Sequence, residues 1–165
     1  VLSKKYGNKV WNLRLHNVAG CIVESGYVED HEPETHLIPN LVKKSLIEVY
    51  GNGTNRRDYI HVEDVCKALS SAALTLKTDK WTNVNEPLEV GTGRSYSVIE
   101  VIKEYQGITG AGMGIHFLPE RQEPSDQRAF STPHWLNWGD QLFQPLSLNK
   151  IIRDTIEGYE NAKKS

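Results

Sequence analysis

Segments with a two-residue apolar period alternate along this chain with segments of helical period. That alternation restricts it to an α/β fold with parallel pairing among its strands. The first extended stretch is Val10–Val18, where Val10, Leu13 and Leu15 alternate with Asn12, Arg14 and His16 before Gly20 stops the run. Ile47–Tyr50 and Tyr59–Val62 are short extended pieces on either side of the Gly51-Asn52-Gly53 turn, and Leu88–Val90 and Ile115–Leu118 read the same way. Helical spacing predicts helices over His36–Leu46 (capped by Thr35), Glu63–Leu76, Val98–Gln106 and Asn149–Ala162, with a short one around His134–Trp138. Ser97 and Glu100 have the spacing of a capping box. Glu24–His36 and Pro119–Pro133 are polar and read as surface loops, and Gly110, Gly112 and Gly114 read as a flexible connection.

The chain has 165 residues, the length of one domain, and its 38% hydrophobic and 24% charged residues allow a packed core. A net charge of -2 with acid and base interleaved argues against a nucleic-acid surface, which needs a basic excess. No apolar run reaches membrane-spanning length, and Val1–Gly7 does not lead into a secretory signal. The expectation is a cytoplasmic protein with Cys21 and Cys66 as buried thiols. The acidic run from Glu29 to His36 lacks His-Glu-x-x-His spacing and contains Pro33, so it reads as a solvated loop and not a metal site.

The most specific pattern is Arg57-Asp58-Tyr59-Ile60-His61-Val62-Glu63-Asp64-Val65. It is similar to a signature of the extended short-chain dehydrogenase/reductase family, particularly its UDP-glucose 4-epimerases. Leu13–Gly20, His36–Lys44, Val49–Gly53, Val90–Ile102 and Arg121–Trp138 resemble further segments in the family's order. The resemblance implies the carboxyl-terminal half of that fold: one nucleotide-sugar-binding domain over residues 1–165, a few parallel strands with flanking helices, and no Rossmann half. NAD belongs to the complete family enzyme. On this reading no catalytic, cofactor-binding or metal-binding residue lies in the chain, and it is not expected to turn over alone. Its partners would be a nucleotide sugar and either a separate amino-terminal Rossmann half or further copies of itself, because the strands of a divided parallel sheet leave open edges. A non-catalytic binding module or remnant, acting as a homo-oligomeric structural protein, is the alternative.

Two segments imitate the missing parts. Gly91-Thr92-Gly93 follows a strand and precedes a helix, but Tyr96 stands where the third glycine of a dinucleotide fingerprint belongs, and a turn is the simpler reading. Tyr159-Glu160-Asn161-Ala162-Lys163 matches the family's catalytic Tyr-x-x-x-Lys, yet a lysine in a last helical turn has an ordinary dipole explanation.

The resemblance carries substrate-binding roles to nine positions. Asn17 would meet the diphosphate or sugar, and His36 and Leu37 the phosphates, although the family shows asparagine where His36 stands. Val49 and Tyr50 would lie beside the base or ribose, and Arg57 and Tyr59 on the diphosphate. Arg121 and Asp126 would take phosphate and ribose. A guanidinium matches phosphate oxygens bidentately, which favours Arg57, and its alternative is a structural ion pair between the Arg56-Arg57 pair and Asp58. The alternative for Tyr50 is a core aromatic, and for Arg121 and Asp126 a solvated loop. His61 and Asp64 read as structural, with Asp64 near the first turn of the following helix.

Overall fold

A computed structural model of the chain describes residues 12–29, 36–76, 87–119, 134–137 and 143–164. Eight short strands appear among them: β1 (Leu13–Leu15), β2 (Asn17–Ala19), β3 (Leu46–Tyr50), β4 (Arg56–Arg57), β5 (Tyr59–His61), β6 (Leu88–Val90), β7 (Tyr96–Ser97) and β8 (Gly114–Leu118). The α-helices are α1 (Leu37–Lys43), α2 (Val62–Leu76), α3 (Val98–Thr109) and α4 (Leu148–Ala162). The pairs β1–β6, β2–β5 and β3–β8 are parallel, and β4–β7 is antiparallel. The α/β class with parallel strands is therefore present.

The single strand expected over Val10–Val18 is divided at His16 within its described part. Residues 13–15 pair with 88–90, whereas 17–19 pair with 59–61. His16 N–H donates to Val90 O at 3.0 Å and Asn17 N–H to Asp58 O at 3.0 Å, so the chain changes partner at this point. The helix expected over His36–Leu46 ends at Lys43, because Leu46–Tyr50 alternates exposed and buried side chains and pairs with β8 instead. Its N-cap is His36, with no side-chain cap bond, and Thr35 lies outside the described residues.

Other boundaries move less. The Ser97–Glu100 capping box forms as expected, with Glu100 N–H on Ser97 Oγ at 3.2 Å and Ser97 N–H on Glu100 Oε2 at 2.7 Å. That helix runs on to Thr109 and closes at Gly110 in the left-handed region (φ 66). Gly114 is the first residue of β8 and not part of a loose connection; a Cβ there would lie 2.9 Å from Leu46 Cδ1. Cys21 is buried, but Cys66 is exposed, because it falls one residue off the Val65–Ala68–Ala72 stripe that α2 buries.

Two apolar clusters hold these elements. The larger packs Ile38 and Leu41 of α1, Ile47 and Val49 of β3, Val101 and Ile102 of α3, and Ile151 and Ile152 of α4. The smaller gathers Ile60, Val65, Ala68, Ala72 and Val90 around Trp135, whose indole N–H donates to Gly91 O at 2.7 Å.

Candidate functional site: a cleft along the second and fifth strands

β2 and β5 lie side by side with Asn17 opposite Tyr59 and Ala19 opposite His61. In a parallel pair such partners share a face, so Asn17 and Tyr59 are neighbours there. Arg57 precedes Tyr59 by two residues and is placed by the β4–β7 pairing, opposite Tyr96. These residues wall a cleft of about 850 Å³. It is also lined by Gly20–Ile22, Ser25, Tyr27–Glu29 and the start of α1, His36–Pro39.

Of the nine predicted site residues, the cleft brings together Asn17, His36, Leu37, Arg57 and Tyr59. Val49 is in the larger core, and Tyr50, 41% exposed, ends β3 opposite Leu118, so neither is part of the cleft wall. Arg121 and Asp126 lie outside the described residues. The His36 ring contacts the Glu29 carboxylate through Nδ1. Pro39 has no N–H, which reduces what the first turn of α1 could offer an anion.

Asp58, between Arg57 and Tyr59, has a role that the sequence reading missed. It is buried, and its carboxylate accepts from Thr92 N–H (2.9 Å), Thr92 Oγ1 (2.7 Å) and Gly93 N–H (2.9 Å). The glycine turn therefore spends those N–H groups on Asp58 and not on a phosphate. Arg56 turns away from the alternative pair with Asp58: its guanidinium meets Glu100 Oε2 at 2.9 Å and bonds Ser95 Oγ and O. The Ser97 backbone N–H, aided by Arg56, holds the Glu100 carboxyl below its usual range.

The part of the cleft that precedes α1 also went unread. Tyr27 and Val28 line the cleft from within Glu24–His36, read as a surface loop, with Ile22 just before it, and Tyr27 is 83% exposed. Cys21 donates to Asp154 O at 2.8 Å, and burial, reinforced by Asp154, pushes its thiol up, so it stays protonated and unreactive. Tyr159 of the Tyr-x-x-x-Lys look-alike is buried, with its hydroxyl on Glu29 O and Lys43 Nζ 5.3 Å from its ring centre, which is a packing role. No metal-holding cluster of acidic, histidine or cysteine residues occurs among the described residues, and none of their helices is long and apolar enough to cross a membrane.

Parallel strand pairs with a polar-edged cleft along one of them define an α/β protein with a candidate ligand cleft. Residues 1–85, just over half of the 165, match the NAD dependent epimerase/dehydratase family, and the chain belongs to that family. It is 35% identical over 129 residues to the UDP-glucose 4-epimerase of Lactobacillus helveticus, covering 72% of this chain and 38% of that protein. Against the UDP-glucose 4-epimerase of Lacticaseibacillus casei it is 32% identical over 170 residues, covering 94% of this chain and 50% of the relative. The crystal structure of UDP-glucose 4-epimerase from Bifidobacterium longum in complex with NAD+ and UDP is similar at a TM-score of 0.71 and 25% identity, over 98% of this chain and 51% of that one. The chain thus spans about half the length, or less, of the relatives it matches.

Proposed function

We propose that these residues form the nucleotide-sugar side of an NAD-dependent UDP-sugar epimerase/dehydratase. The observation that carries this reading is the single cleft that gathers Asn17, Tyr59 and Arg57. Arg57 supplies a forked cation for the diphosphate, Asn17 a side-chain amide, and Tyr59 a phenol on the same strand face. In this reading the cleft holds the nucleotide sugar while a Rossmann half, in cis or in trans, presents NAD and the proton-transferring tyrosine. Hydride transfer at the sugar then belongs to the assembled pair. The solved relative in complex with NAD+ and UDP supports both ligands.

The test is complementation. The chain is mixed with an amino-terminal Rossmann half of a family enzyme and assayed for UDP-sugar interconversion with NAD. Turnover dependent on both parts is expected; no turnover together with no association contradicts the reading. Self-association is a second proposal. Among the described residues each strand has one hydrogen-bonded neighbour, and Leu46, Tyr50 and Phe117 of the β3–β8 pair expose apolar surface. A purely monomeric chain by light scattering at micromolar concentration would remove it.

A further inference from the structure

His61 ends β5, is wholly buried, and takes no part in the ligand contacts above. Its ring touches three elements. Nδ1 accepts the Glu63 N–H at 3.0 Å and so caps the first turn of α2. A nitrogen that accepts carries no proton, so the neutral ring bears its hydrogen on Nε2. Nε2 faces Asp154 of α4, whose Oδ2 is 3.1 Å away. The ring edge lies on Gly20, where a Cβ would stand 2.4 Å from Cδ2 and 2.5 Å from Nε2. Gly20 is a cleft residue, and Asn17 and Tyr59 are two positions from Ala19 and His61 in the same register.

The second proton of an imidazolium has one place to go, Nδ1, where it would point at the Glu63 N–H. Protonation therefore removes the cap acceptor and places a cation in a closed site. The charged groups facing the ring are Asp154 with its Lys150 partner (2.7 Å) from α4, and Glu63 and Asp64 with Lys67 bridging them from α2. Burial outweighs the pull of Asp154, Asp64 and Glu63 and holds the ring below the ordinary histidine range.

We propose that neutral His61, wedged between Gly20, the start of α2 and Asp154, is a positioning residue that holds the strand wall of the cleft in its ligand-binding shape, and that acid releases it. The proposal rests on the nucleotide-sugar reading of the cleft. The sign is fixed by the lowered value. The contribution is fully present above about 6.5, the unfolded histidine pKa. It is lost as pH falls from there through the folded value.

The test is calorimetric titration of the chain with UDP-glucose, whose phosphates keep their charge across the range, from pH 8 to pH 5, beside His61→Asn. Asparagine puts an amide oxygen where Nδ1 sits, keeping the cap without a titrating ring. The two proteins differ at residue 61 alone, so the difference between their profiles belongs to that position. Wild type is expected to lose more affinity than His61→Asn over that span, with a limiting slope of about tenfold per pH unit below the ring's folded value, one proton's worth of linkage. Parallel profiles would overturn the proposal. Imidazole nitrogen spectra of the wild type decide it even where the variant fails to fold. An unprotonated Nδ1 at neutral pH, titrating together with an acid loss of thermal stability, supports it; a ring that titrates at the ordinary value overturns it. Absence of UDP-glucose heat at every pH would sink the functional reading, and the spectra would still judge His61.

Discussion

The two walls of the cleft are built differently. One is the β2–β5 pair, where register, the Asn17 N–H bond to Asp58 O, and the buried Tyr59 and Ile60 fix each side chain by long-range contacts. The other, Cys21–Glu29, folds around a 3₁₀ turn at Val23–Ser25 closed by local bonds, Ser25 Oγ to Ile22 O and Gly26 N–H to Val23 O. Anchors such as Cys21 on Asp154 O, and Val28 within reach of Gly158, hold its ends, while Tyr27 stands in solvent. A wall fixed by register can hold charged contacts to a ligand in place. A wall fixed locally can adapt to one at little cost.

The sharpest way to break this contrast is to disturb the strand wall. Asp58→Ala removes the acceptor for two backbone N–H groups and a hydroxyl at Thr92 and Gly93. Two stranded donors should cost about 4 kcal/mol in urea unfolding. A loss under about 1 kcal/mol would mean that water replaces the carboxylate. Gly20→Ala should follow at about 3 kcal/mol, since Gly20 sits at φ +85 and a Cβ would strike the His61 ring. Near-wild-type stability in that variant would show the ring is free to move.

On the other wall, Tyr27→Ala should change stability by less than about 0.5 kcal/mol, as for exposed side chains generally. A loss above about 1 kcal/mol would place Tyr27 in the same class as the strand residues. Acid loss of stability that begins below about 6.5 should carry the His61 share, with Glu100 and Glu63, also held low, adding theirs in the carboxylate range.

The strand wall was the legible one. Arg57–Val65 and Leu13–Gly20 could be read because period and motif coincide there, and the capping box at Ser97 is a local signal that local geometry obeys. Helix α2 followed its stripe, and the exposure of Cys66 was available from the same periodicity. What stayed hidden depends on partners distant in sequence. Asp58 looked like company for Arg56, but its turn lies 34 residues away. The change of partner at His16 involves strands 40 and more residues on. Tyr27 and Val28 sit in an irregular segment, where no period reports which side chains turn inward. The position of Leu46 in a strand rather than a helix was decided by β8, again a non-local partner.

Everything functional rests on a forked cation and an amide sharing one cleft with a phenol. Calorimetry of the chain with UDP-glucose at pH 8, wild type beside Arg57→Ala, tests that directly. One site per chain is expected, weakened by about 2 kcal/mol in the variant, the scale of a lost charge-assisted contact, with the unfolding midpoint unchanged. Equal affinity in the two proteins, or no heat from the wild type, would contradict it.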